Sequence, residues 1–379
     1  MAAKYTGRVL LAVVVLAVVT SGVAAFASVG AAGPAHAGSA ASADVAQQEC
    51  TFPFEGEDAT GETVTIEEEP ERIVTTAPSA AQTIWEIGAQ EKVVGVSQHA
   101  MHLEGAEERE TVLGEDMMTV DVETVVDLEP DLVLAPDVTA EEDVENLRDA
   151  GLTVYQFEEP ATVEGVEDAT HLVGELVGEC DGAQDTVDWM NEELAEIEET
   201  VGDEQQPRTL YLHSIGDGPW TAGEGTFIGD AIEIAGGENL AGSAGIEGHQ
   251  PISDEVVAAE DPEWIVVNDF DVEPPTDGVY ADTTAIEEDN VVVVDANHVN
   301  QPTPRIVYAI QAMAEAFHTE AFEQTPSPTP DETATPTATP EETDTPTPDT
   351  DDETVPGFGL SVAVAGLVAA LVALARRRL

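Results

Sequence analysis

Two kinds of apolar pattern alternate along the chain. Arg72–Ala77, Val93–Ser97, Asp131–Ala135 and Thr153–Phe157 are short runs rich in Val, Ile and Leu, bounded by Gly, Pro or charged residues. Such runs predict strands buried on both faces. Between them lie helical stretches: Pro78 through Ile87 before Gly88, 121–129 stopped by Pro130, and 140–150 closed by Gly151. Thr63–Ile66 alternates and predicts a short edge strand. The sum is an α/β lobe with a mainly parallel sheet over residues 63–162. The pattern resumes after residue 203. Strands are predicted at Arg208–Ser214, Trp264–Asn268 and Val291–Asp295. Helices are predicted from the mid-220s through Ala235, over Asp254–Glu260 and over Pro304–Phe317. This is a second α/β lobe, residues 204–323, with Ile215–Thr226 read as a loop.

The 163–203 segment between them has one helical stripe. Val166, Ala169, Val173, Leu176, Cys180, Ala183, Val187, Met190, Leu194, Ile197 and Val201 recur at 3,4 spacing among acidic residues. Gly174, Gly178 and Gly182 interrupt it, and Asp181-Gly182 reads as a stop and restart with Asp181 as the new N-cap. Two helices are expected, the second over roughly 183–201, about 28 Å long and acting as a strut between lobes. The lobes also share a motif. TVDVETVVDLEPDLVLA (119–135) and PISDEVVAAEDPEWIVV (251–267) align in one frame. Glu123 and Glu255 stand seven residues before Pro130 and Pro262, and an acid follows each proline. One helix–Pro–strand unit per half predicts two lobes of related topology.

Composition changes the picture. The 379 residues carry 78 Asp+Glu against 11 Lys+Arg, a formal charge of −67. Self-repulsion of that size is tolerable where molar salt shortens the Debye length to about 3 Å, so it is read as adaptation to a saline environment. Away from the two ends only Arg72, Lys92, Arg109, Arg148, Arg208 and Arg305 are basic. Six scattered cations build no basic patch, which excludes nucleic acid as a partner. Residues 1–37 carry Lys4 and Arg8, an apolar run and Ala35-His36-Ala37, the pattern of a cleaved signal peptide. Residues 38–62 are small and polar. Residues 324–355 are almost wholly Thr, Pro, Asp and Glu, a disordered linker. Residues 356–379 follow as Pro356-Gly357-Phe358, an apolar run and Arg376-Arg377-Arg378. Cys50 and Cys180 form no zinc-type spacing, and in an exported chain they predict one disulfide and no metal site.

Between two α/β lobes, the loops at the carboxyl ends of the strands face the cleft. Here those loops offer Pro78-Ser79, then Gln98, His99, Met101 and His102, then Met117. The second lobe supplies Trp220, Asp269, Phe270, Asn297, His298 and Arg305. Aromatics, Met, His and amides with few charges suit a large, partly apolar ligand with polar edges. Catalysis is not indicated: Ser79 sits in APSAA rather than a GxSxG elbow, and no HxxxH or HExxH pairs two histidines on a helix. A surface enzyme acting on tetrapyrroles or phosphate esters would instead need a nucleophile–base set or paired carboxylates with raised pKa in the cleft.

RIVTTAPSAAQTIWEIGAQEKVVGVSQHA, VETVVDLEPDLVLA, GPWTAGEGTFIGDAIEIAGGENLAG, ISDEVVAAEDPEWIVV and PTPRIVYAIQAMAEAFH resemble the BtuF/FepB-type substrate-binding proteins of ABC importers. The resemblance covers about residues 64 to 320. It implies two Rossmann-like lobes with mainly parallel sheets, joined by a bridging helix with limited hinge motion. The partners it implies are an ABC permease with its ATPase and a small-molecule ligand. No resident cofactor is implied. Family members dock on the permease through one glutamate per lobe, which by position are Glu123 and Glu255 here. The cargo the resemblance implies is a corrinoid, a ferric siderophore or haem. Anionic siderophores call for several cleft arginines, and only Arg305 is near, whereas Trp220 and the amide-rich loops suit a corrinoid. His99 and Trp220 stand where B12 binders of the family place aromatics. The C-terminal tail resembles the archaeal PGF sorting signal, which implies processing by an archaeosortase, lipid anchoring and a haloarchaeal cell-surface protein.

Overall fold

The computed structural model describes residues 50–202, 204–215, 218–270 and 276–324. The expected signal peptide, nearly all of the linker and the C-terminal signal lie outside these residues. The first lobe contains β1 (Phe54–Glu57), β2 (Thr63–Ile66), β3 (Ile73–Thr75), α1 (Pro78–Glu86), β4 (Val93–Val96), β5 (Glu110–Thr111), α2 (Val122–Asp127), β6 (Leu132–Pro136), α3 (Glu141–Asp149) and β7 (Val154–Phe157). Its sheet runs β5-β4-β3-β6-β7, parallel throughout. Alternate residues of the same strands go to opposite faces. Ile73, Leu132 and Leu134 pack with Ala81 and Ile84 of α1, while Val74, Val133 and Ala135 pack with Val125 of α2 and Leu147 of α3. Both faces being covered, the strands read as unbroken apolar runs.

The polar 38–62 segment is not wholly outside the lobe. β1 pairs antiparallel with β2, Phe54 opposite Ile66, and the Phe54 ring meets Tyr155 edge-on at 6.2 Å. The turn between them closes on Asp58, whose carboxylate accepts from the N–H groups of Thr60, Glu62 and Gln156 and pairs with Arg148. Burial alone would raise the Asp58 pKa, but the Thr60 hydroxyl, the Gln156 and Thr60 N–H groups and Arg148 outweigh it and hold the carboxyl below its ordinary range. The sequence signal was faint because Phe54 is the one apolar residue of its strand.

The bridge is an antiparallel pair, α4 (Val163–Val177) and α5 (Cys180–Val201). The break falls at Gly178, which closes α4 in the left-handed region at φ 79°. The expected restart at Asp181-Gly182 is therefore late, because Gly182 already lies in the first turn of α5. Each helix has one end in each lobe. Val173, Leu176 and Ala183 join the first core, whereas Val163, Val166, Met190, Ile197 and Val201 join the second. The other glycines buy close approach. A Cβ on Gly174 would stand 2.5 Å from that of Ala183, and one on Gly182 would stand 2.0 Å from the backbone oxygen of Ile87. Gly182→Ala is thus expected to lose about 1–3 kcal/mol through overpacking. Helix propensity alone would give a gain of about 1 kcal/mol, so a rise in the urea midpoint would refute the packing account. The disulfide Cys50–Cys180 forms, with Cα atoms 5.6 Å apart, and fixes the start of the described chain to the first residue of α5.

The second lobe contains β8 (Arg208–Ile215), β9 (Gly218–Ala222), α6 (Phe227–Ile234), β10 (Glu238–Asn239), α7 (Leu240–Ser243), β11 (His249–Pro251), α8 (Asp254–Glu260), β12 (Trp264–Asn268), α9 (Thr284–Glu287), β13 (Val291–Val294), α10 (Ala296–Val299), α11 (Ile306–Phe317) and α12 (Thr319–Gln324). The last of these reaches one residue into the expected linker. The sheet order is β11-β9-β8-β12-β13, with β10 also on β8. The stretch read as a loop folds back as β9, antiparallel to β8 with His213 opposite Trp220, and β11 adds a further antiparallel strand. A proline and flanking glycines disguised this strand.

The shared motif is a shared structure. Asp121 and Ser253 cap α2 and α8 by accepting from the N–H groups of Thr124 and Val256. Each helix is followed by a left-handed residue before proline, Glu129 and Asp261, both at φ 47°. The next acid then accepts from the backbone at the entry to the neighbouring strand, β3 or β8. Asp131 takes the Arg72 N–H at 2.9 Å, and Glu263 takes the Arg208 N–H at 3.0 Å. Each arginine side chain returns to the helix end, at the carbonyls of Leu128 and Glu260 respectively.

Candidate ligand cleft

The carboxyl ends of β3, β6 and β7 meet the segment after α10 across a cavity of about 460 Å³. Pro78 and Ser79 open α1 there, as expected. Pro136–Val138, Phe157–Pro160 and Asn300–Pro302 complete the walls, and Ala169 and Val173 of α4 close the back. The volume is ordinary for a small-molecule site, about 300–1,000 Å³. Its rim is acidic. Burial raises the Asp137 pKa, and burial together with the neighbouring Asp137 charge raises that of Glu159.

Beside the cavity the lobes touch through α1. Gln82 is fully buried. It donates to the Asn297 carbonyl at 3.2 Å and accepts from the Thr303 hydroxyl. Arg305 Nε pairs with Glu86 Oε1 at 2.5 Å. His102 stands against Gln82, with nitrogens 3.1 Å apart. Burial lowers the pKa of both His102 and His298, and Arg305 lowers both further. Asp295 opposes this at each ring, as do the His99 backbone at His102 and Glu86 and Asp269 at His298.

The other expected residues are spread more widely. His99 holds the Met117 carbonyl through Nε2 at 3.0 Å, and Met117 is itself exposed at φ 60°. Met101 is exposed on the same loop, and Gln98 keeps a buried Oε1 without a protein partner. Trp220 is half-buried on β9. Asp269 accepts from the Ala296 N–H, and Phe270 projects into solvent at 82% exposure. None of these lines the 460 Å³ cavity. Glu123 and Glu255 are exposed, each the second residue of its helix. Sequence reasoning missed Gln82, Glu86, Thr303 and Phe157. The signal was there for Gln82, an amide in the middle of the apolar run of α1.

A profile described as periplasmic binding protein matches residues 73–298. The PGF-CTERM motif matches residues 355–378, which marks an exported protein anchored at the cell surface through its C-terminus. Among the described residues no helix is long and apolar enough to cross a membrane. A cobalamin-binding protein of Halobacterium salinarum is 43% identical over 338 residues, 86% of this chain and 90% of the relative. A vitamin B12-binding protein of Vibrio cholerae is 24% identical over 64% of this chain and 87% of its own. Among solved structures, the haem-binding protein RhuT of Roseiflexus superposes with a TM-score of 0.60 at 25% identity, covering 66% of this chain and 99% of RhuT. The vitamin B12 binding protein BtuF of Vibrio cholerae does so with 0.58 at 22% identity, covering 67% and 99%. Two α/β lobes on a helical bridge, a cleft at their strand ends, and these matches over most of the folded chain have one reading: this chain belongs to the periplasmic binding protein family, the solute-binding subunits of ABC importers.

Proposed function

We propose that the protein captures a corrinoid outside the cell and passes it to an ABC permease and its ATPase, making and breaking no bond. The ligand is cargo, and the chain holds no cofactor of its own. The observation that carries this reading is the use of its cations. Among the described residues the six basic side chains are all engaged. Arg72 and Arg109 donate to backbone carbonyls, while Lys92, Arg148, Arg208 and Arg305 pair with Glu69, Asp58, Glu263 and Glu86. No arginine is left over for the carboxylates of haem or of an anionic siderophore, and the cavity rim is acidic. A corrinoid, with amide edges and little net negative charge, meets no such requirement. The cobalamin-binding relative at 43% identity supports the same ligand.

Paired carboxylates with raised pKa are what an enzyme reading requires, and the rim supplies them in Asp137 and Glu159. The match to a family of solute-binding proteins supports reading them as a rim. Titration of the protein with cyanocobalamin, haemin and a ferric siderophore in molar KCl tests the proposal. Saturable binding of cyanocobalamin alone is expected, and binding of haemin or siderophore without corrinoid would overturn it. Archaeosortase removal of the tail is the matching expectation for maturation, read as a mature mass that ends before the apolar run.

A further inference from the structure

The buried contact between the lobes has a defined proton inventory. The Gln82 amide nitrogen has two hydrogens, and two acceptors stand near it, His102 Nε2 at 3.1 Å and the Asn297 carbonyl at 3.2 Å. Its oxygen takes the Thr303 hydroxyl. His102 Nδ1 lies 3.1 Å from the His99 carbonyl, which can only accept. Nδ1 therefore carries the hydrogen, and Nε2 of the neutral ring is free to accept. Every donor in this hub has one acceptor. Gln82 and His102 belong to the first lobe, Asn297 and Thr303 to the second.

We propose that His102 is a proton-operated release for the two lobes. Its neutral ring holds the Gln82 amide in the orientation that bridges to Asn297 and Thr303, and its protonated ring turns that amide and unfastens the bridge. A proton on Nε2 sets an N–H against the Gln82 NH₂. Rotating the amide relieves this but brings the Gln82 oxygen against the Asn297 carbonyl, so the cross-lobe bond is exchanged for a repulsion. One side of His102 is exposed, which gives the proton a route. The inference goes beyond ligand identity, because every bond of the hub joins the protein's own groups.

The charged groups around the ring are Arg305 at the start of α11, His298 on α10, Asp295 at the α10 cap, and Glu86 on α1 beside Arg305. The first two disfavour protonation in the closed form and Asp295 favours it, with burial the larger influence lowering the pKa. A histidine whose pKa is depressed when closed takes its proton more readily when open. Closure is thus fully present above the ordinary pKa of about 6.5 and is lost as pH falls from there through the lower pKa of the closed form. Molar salt screens the charges but leaves hydrogen bonds at contact distance in place.

Spin labels at Glu145→Cys and Glu287→Cys, both exposed and one per lobe, read the opening directly in the full chain with its disulfide intact. Pulsed dipolar distances in molar KCl should show the closed population falling about three- to tenfold between pH 8 and pH 5, the worth of one or two hydrogen bonds. His102→Gln should flatten the profile, whereas His298→Gln should keep the pH dependence with its midpoint shifted upward, because a charge that disfavours protonation of His102 is gone. Gln82→Leu should be open across the range. A wild-type population constant with pH, or a His102→Gln profile matching wild type, would overturn the proposal.

Discussion

Glu123→Ala combined with Glu255→Ala is expected to abolish corrinoid uptake while leaving ligand affinity unchanged. Both carboxylates are exposed, and neither lines the cavity. Each is the second residue of a helix whose cap, Asp121 or Ser253, remains in place, so removing it costs a few tenths to about 1 kcal/mol from the helix dipole. The variant should fold. What it loses is a matched pair of anions, one per lobe, set on the same helix–Pro–strand unit. In molar salt an ion pair acts only near contact distance, about 3 Å, so a permease that recognises these groups must touch them. Each single variant should transport at a reduced rate. Uptake assays in cells, alongside corrinoid titration of the purified variant, separate the outcomes. Loss of affinity would place the glutamates in the cleft, and full uptake would remove them from docking.

Cys50→Ser with Cys180→Ser is expected to lower stability by roughly 2–5 kcal/mol, the range for a crosslink closing a long loop. Here 130 residues separate the two cysteines, and the loop contains the whole first lobe. The loss should also be local. β1 and β2 form a sheet of two strands only, and an isolated hairpin is marginal in water. Without the bond, residues 50–66 should exchange amide hydrogens and admit protease before either core opens. Denaturant unfolding of the oxidised and Ser variants gives the size of the effect, and hydrogen exchange gives its place. A change under about 1 kcal/mol would show that packing of Phe54 on Tyr155 already secures the segment.

The parts of the fold legible in the sequence were those encoded by local periodicity. Val93–Val96 and Leu132–Pro136 announce themselves as buried strands, and the repeat around Glu123 and Glu255 announces two related lobes. The start of α1 at Pro78 was legible because a strand end followed by a helix start is a local signal. The unread parts depend on contacts between distant residues. Nothing near Arg72 indicates that its N–H meets Asp131, and nothing near Arg305 indicates Glu86. β9 was hidden because its strand character comes from pairing with β8, against the turn chemistry of Pro219 and its neighbouring glycines. Gly182 reads as a helix breaker until the Ile87 carbonyl beside it is known. His99, Met101, Met117 and Phe270 lie on loops and Trp220 on β9, and none lines the cavity, because a segment's position does not say which of its side chains reaches it.

The helical pair α4–α5 has a mechanical consequence for recognition by the permease. Two rods, each socketed at one end in either core, resist stretching and shearing far more than slight rocking. They make the molecule a ruler. The spacing of the Glu123 and Glu255 carboxylates is then nearly the same in the empty and loaded protein. A permease measuring that spacing alone would bind both forms, and loaded carriers would have to be distinguished by the cleft itself once docked.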